Sequence, residues 1–127
     1  MPTLGEIMTK DPFAVASTTT VSEVAAAMVK GRVGSAVVMD GTWLTGIFTE
    51  RDVLRAAASG KDLTSSRVAD WMTPDPMTAE PDMEAEEAAQ VMLSRGFRHL
   101  PVVEAGKVTG VVSLRDVLST RVVRRPG

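Results

Sequence analysis

Apolar residues recur at helical spacing twice in this chain, and each time two short β-branched runs follow. Val21, Val24, Ala25 and Met28 stand at i, i+3, i+4 and i+7, and Ala85, Ala88, Ala89 and Met92 repeat that spacing 64 residues later. Both patterns predict an amphipathic helix with one buried stripe. The first opens with Thr20-Val21-Ser22-Glu23, a capping box. In the second, Glu84 replaces the threonine, which gives up the hydroxyl cap but keeps acidic residues at the positive helix end. Next come the runs Ser35-Ala36-Val37-Val38-Met39 and Leu100-Pro101-Val102-Val103-Glu104. A glycine turn follows at Asp40-Gly41 or Ala105-Gly106, then a second strand and a closing helix that starts near Glu50 or Leu114.

The pattern is therefore one β-α-β-β-α unit written twice. Its opening recurs too: Met8-Thr9-Lys10-Asp11-Pro12 returns as Met72-Thr73-Pro74-Asp75-Pro76. The expected division is a first repeat over 1–62, a linker at 63–66 and a second repeat over 67–127. The segment from Arg121 to Gly127 is expected to be a frayed basic tail. A half of about 60 residues is marginal as an independent core, so the halves are expected to bury surface against each other. The fold class this predicts is α+β.

Composition narrows the chemistry. The chain has 127 residues, 44% of them hydrophobic, as in a soluble globular domain. A net charge of −2 supplies no basic field for gripping nucleic acid, and 4% aromatic residues leave little for stacking bases. No cysteine is present, which removes disulfides, thiolate metal sites and a cysteine nucleophile. Neither a secretory leader nor a run of about 18 apolar residues is visible, so a cytoplasmic protein with no membrane partner is the expectation. No catalytic triad, phosphate-cradling glycine loop or metal-ligand cluster stands out, so no enzyme, no metal and no required cofactor are expected.

Each second strand ends in a shared signature: Gly46-Ile47-Phe48-Thr49-Glu50-Arg51-Asp52 and Gly110-Val111-Val112-Ser113-Leu114-Arg115-Asp116. With the Met-Thr openings and Arg98-His99-Leu100-Pro101-Val102-Val103, this ordered set resembles a tandem cystathionine-β-synthase (CBS) domain pair over nearly the whole chain. The resemblance implies two repeats packed about a pseudo-twofold axis, with clefts for AMP, ADP or ATP, and S-adenosylmethionine or NAD as lower-ranked candidates. It also implies that Asp52 and Asp116 hold ribose hydroxyls, and that Thr49 and Ser113 lie near ribose or phosphate. Backbone groups around Ala14-Val15 and Thr78-Ala79 would meet adenine. A homodimer acting on a protein effector is the implied partnership.

The residue types suit that chemistry. An ionised carboxylate accepts both donors of a vicinal diol, and the first turn of a helix favours an anion such as phosphate. Ile47, Val37, Val102 and Val111 are candidates to line an apolar adenine slot. Arg98 and His99, together with Arg51 and Arg115, are candidate phosphate contacts. Gly34-Ser35 stands where Arg98-His99 stands, so the two sites are expected to be unequal. A plainer reading exists for each feature. Thr49-x-x-Asp52 and Ser113-x-x-Asp116 also read as helix caps, and the arginines as solvated charge. Trp43 and Trp71 read as packing or dimerisation residues, the four methionines Met8, Met28, Met72 and Met92 as core or interface residues, and Glu84, Glu86 and Glu87 as a solvated helix start. A ligand-free interaction module is the alternative function.

Overall fold

The computed structural model describes residues 2–124, with side chains to residue 120. In chain order the elements are α1 (Leu4–Ile7), β1 (Thr9–Lys10), β2 (Ala14–Val15), α2 (Val21–Gly31), β3 (Ser35–Asp40), β4 (Trp43–Thr49), α3 (Glu50–Ala58), α4 (Val68–Trp71), β5 (Thr73–Pro74), α5 (Ala85–Arg95), β6 (His99–Glu104), β7 (Lys107–Ser113) and α6 (Leu114–Arg124). The fold is α+β with two sheets, ordered β1-β7-β6 and β2-β3-β4-β5.

The compact units are not the sequence repeats. One unit is Phe13–Pro76; the other joins Met1–Pro12 to Met77–Gly127. The repeats divide the sequence, whereas the units divide space, and each Met-Thr opening belongs to the unit of the other repeat. Thr9 lies opposite Val111 and Lys10 opposite Gly110, while Thr73 lies opposite Ile47 and Pro74 opposite Gly46. These two-residue edge strands and the short helices before them carry too little periodicity to be read from sequence. Each edge strand is followed by an aspartate at positive φ, Asp11 at 52° and Asp75 at 48°, and then by proline. Aspartate tolerates that left-handed conformation, which explains the Asp-Pro ending of both openings.

Each unit has its own core. In Phe13–Pro76, Val21, Val24 and Met28 of α2 pack with Ala36, Val38, Phe48, Ala56 and Val68. In the other unit, Ala85, Ala88, Ala89 and Met92 of α5 pack with Leu4, Leu100, Val102, Val112 and Val117. The expected helical stripes are thus the buried faces; only Ala25 is half-buried.

Three expectations change. The second copy's opening strand shrinks to one parallel bridge, Ala79 with Val102. Residues 121–124 of the expected frayed tail belong to α6, which continues to Arg124; residues 125–127 lie outside the described residues. Val102 cannot share a slot with Val111. Strand side chains alternate between faces, and Val102 belongs to the core cluster with Leu100 and Val112. Pro101, the cross-strand partner of Val111, occupies the face once assigned to Val102.

The caps appear as read. At the start of α2 the Glu23 backbone N–H donates to Thr20 Oγ1 at 3.1 Å, and the Thr20 N–H donates to Glu23 Oε1 at 3.1 Å. At α5, Glu84 makes no side-chain cap. Thr20→Ala is expected to cost about 1 kcal/mol in chemical denaturation. The Thr20 hydrogen bonds hold the Glu23 carboxyl below its ordinary range. Since the folded value is the lower one, this contribution is present above the unfolded pKa and fades as pH falls through the folded value. Thr20→Ala should therefore cost less in acid, keeping only the share due to the Glu23 N–H bond to Thr20 Oγ1, and a cost that stays constant with pH would contradict this.

Candidate functional site

The signature strand and the helix behind it build the same corner in both units. In β4 the side chain of Phe48 enters the core while Ile47, paired with Val37, takes the opposite face; Ile47 and Val37 are both buried. Thr49 then leaves the strand with φ −129° and ψ 172° and becomes the N-cap of α3. This sets Asp52 at the third helical position, turned back on its own helix end. Its Oδ2 accepts from the Thr49 backbone N–H at 2.9 Å and from the Thr49 hydroxyl at 3.3 Å. Its Oδ1 accepts from Arg55 at 3.1 Å. Asp52 is only 5% exposed.

In the other unit, Asp116 Oδ2 accepts from the Ser113 N–H at 3.0 Å, and Ser113 Oγ accepts from the Asp116 N–H at 3.0 Å. This is a fully reciprocal cap, and Asp116 is half-buried. The capping reading is therefore realised at both aspartates. A carboxylate has about four lone-pair positions, so a cap of this kind leaves acceptor capacity for a ligand.

Register brings the neighbouring candidates to the same corners. His99 lies directly opposite Ser113, and the Leu114 N–H donates to the Arg98 carbonyl at 2.9 Å. In the Phe13–Pro76 unit Ser35 lies opposite Thr49, and the Glu50 N–H donates to the Gly34 carbonyl at 3.2 Å. So Arg98 and His99 stand against the N-terminus of α6, while the matching place at α3 carries no charge. Arg98, Arg51 and Arg115 are exposed, and His99 is half-buried.

The backbone candidates divide into two kinds. The Ala79 N–H donates to Pro101 at 3.0 Å and its carbonyl accepts from Val103 at 2.8 Å, so both of its polar groups face β6. Val15 occupies the matching position beside β3, where the Phe13 carbonyl accepts from the Val37 N–H at 2.9 Å. In a parallel ladder the residue between two bonded ones turns its N–H and C=O the other way. Ala14 therefore directs its groups to the edge, whereas Val15 and Ala79 do not; Thr78 precedes the single Ala79 bridge and lies outside any strand.

Sequence reasoning missed Arg55; Trp71 packs against the core of its unit, as the packing reading expects, and also meets Arg55. The Arg55 guanidinium lies 5.7 Å from the centre of the Trp71 ring while it bonds Asp52. The i, i+3 spacing of Asp52 and Arg55 was visible in the sequence. The ring was not, since α4 comes back to α3 only through the fold. Trp43 is 74% exposed. Glu86 and Glu87 are exposed in the first turn of α5, and among the described residues no group of three His, Asp or Glu side chains is placed to hold a metal ion. Nor, among these residues, is any helix long and apolar enough to cross a membrane.

Known proteins place these corners in a family. The CBS domain family model matches residues 4–59 and 68–122. An uncharacterised 17.7 kDa protein of Acidianus ambivalens is 39% identical over 116 residues, 90% of this chain and 70% of its own length. The structure of CBSX2, a CBS-pair protein of Arabidopsis thaliana, in complex with AMP superposes with a TM-score of 0.85 at 28% identity, covering 99% of this chain and 100% of that one. The CBS domain pair of protein MJ0100, in complex with 5′-methylthioadenosine and S-adenosylmethionine, gives a TM-score of 0.86 at 25% identity, covering 94% and 98%. The twice-written strand, hydroxyl cap and aspartate thus belong to two CBS domains in tandem, and the chain is a member of the CBS domain family.

Proposed function

We propose that this protein is a regulatory module that binds an adenosine-containing ligand and does no chemistry on it. The observation that carries the reading is the duplicated corner. Each unit has a hydroxyl residue and an aspartate at the N-terminus of a helix; the Phe13–Pro76 unit adds a strand edge whose Ala14 backbone groups face outward, with Thr78 at the matching position of the other unit. The carboxylate suits the ribose diol, the outward backbone suits the adenine edge, and the helix end suits a 5′ substituent. AMP, 5′-methylthioadenosine and S-adenosylmethionine, the ligands of the two structural relatives, share adenosine and differ beyond it.

On entry the diol takes acceptor positions on aspartates that now serve as caps. A phosphate-bearing ligand, with AMP, ADP and ATP ranked first and NAD behind, favours the Asp116 corner, where Arg98 and His99 flank the helix end. Melting curves with AMP, ADP, ATP, NAD and S-adenosylmethionine test this. At least one compound should raise the midpoint, and a flat response to all five would remove the reading.

A specific observation favours self-association beside it. Val29 and Leu54 are 79% and 70% exposed, and their repeat equivalents Leu93 and Leu118 are 68% and 50% exposed. Both units thus present the same apolar positions on their helices, as a homodimer that passes its state to a protein effector would use. Sedimentation of Leu54→Lys/Leu118→Lys should return a monomer if these positions carry the dimer.

A further inference from the structure

We infer that Arg55 is a latch on Asp52, so that the Asp116 corner fills first and the Asp52 corner opens only when a ribose displaces the guanidinium. The inference rests on the adenosine-binding reading and deepens it. Asp52 is buried and spends Oδ2 on the Thr49 amide and Oδ1 on Arg55 at 3.1 Å. A vicinal diol brings two donors, and Oδ1, the oxygen that Thr49 leaves unused, is the one Arg55 bonds.

The guanidinium is held on two sides, by the carboxylate and by the Trp71 face 5.7 Å away. Such a pair is harder to open than a lone surface ion pair, because the cation leaves two partners together. The second corner has neither part. The repeat equivalent of Arg55 is Ser119, and that of Trp71 is Ile7. Asp116 meets its own cap through Oδ2 and has no arginine one turn on. The latch therefore separates the two corners by their ribose chemistry alone, independently of the phosphate preference that Arg98 and His99 create.

An uncharged probe isolates the effect. In Asp116→Asn protein, which leaves the Asp52 corner as the ribose site, Arg55→Ser copies the residue at position 119. It should tighten adenosine binding about fivefold by calorimetry. Arg55→Gln, which keeps the aliphatic stem, should do the same if the serine variant folds poorly. With Trp43→Phe added so that Trp71 alone fluoresces, adenosine should change the emission of the protein that retains Arg55, and 2′,3′-dideoxyadenosine, which has no diol, should not. Unchanged or weaker adenosine binding in both Arg55 variants would overturn the latch, as would an equal Trp71 response to the dideoxy compound. If the unaltered protein binds adenosine and AMP while the fivefold gain is missing, only the latch falls. If it binds neither, the adenosine reading falls too.

Discussion

Gly110→Ala is expected to cost about 2–3 kcal/mol of folding stability, although the change adds one methyl group. A Cβ at Gly110 would lie 2.5 Å from Met8 Sδ and 2.8 Å from both Met8 Cγ and the Thr9 carbonyl oxygen. The methionine side chain can move aside; the carbonyl cannot, because Thr9 is held opposite Val111 in the sheet. Gly110→Ala combined with Met8→Ala should therefore recover only part of the loss. Gly46→Ala should behave alike, since its Cβ would meet Met72 Sδ at 2.5 Å and the Thr73 carbonyl oxygen at 2.9 Å. Urea denaturation measures both, and a cost below about 0.5 kcal/mol would show that the edge strands yield freely. The glycine that heads each signature is thus required by the Met-Thr opening of the other repeat.

Ligand stabilisation should depend chiefly on Asp116. A ligand at a hundred times its Kd adds about 2.7 kcal/mol to the stability of the folded state. Asp116→Ala should remove most of this gain at ligand concentrations that fill only the first corner. The variant also loses the carboxylate half of its cap, worth up to about 1 kcal/mol, so the gain is taken between the same variant with and without ligand. Asp52→Ala should reverse the order of effects. Without ligand it is the costlier change, about 1–3 kcal/mol, because it strips the Thr49 amide and Arg55 of a buried partner. With ligand it should keep most of the gain. Equal ligand gains in both variants would contradict unequal corners, and full gains in both would contradict any role for the carboxylates.

Much of the site was legible because its parts are local. The caps at Thr49-Asp52 and Ser113-Asp116 span four residues, and the stripes Val21-Val24-Met28 and Ala85-Ala88-Met92 span two helical turns. The hairpins announced themselves too; Ala105 and Gly106 form a two-residue turn with φ of 51° and 79°. What went astray required knowing which face a strand turns inward. Register turns the slot candidate Val102 into the core, and of the four backbone candidates Val15 and Ala79 spend their polar groups on the neighbouring strand while Ala14 turns its own outward.

The repeat, its helices and the paired aspartates follow from spacings within a few residues, since hydrogen bonds and side-chain periodicity at that range depend on neighbours in the chain. The exchange of edge strands, the contact of Gly46 with Met72 and Gly110 with Met8, and the stacking of Arg55 on Trp71 were settled only by the tertiary structure. These join segments distant in sequence, and nothing in a local pattern states which of two similar openings will pair with which of two similar strands. Close packing decides it, because each glycine leaves room for one methionine and one backbone and for little else.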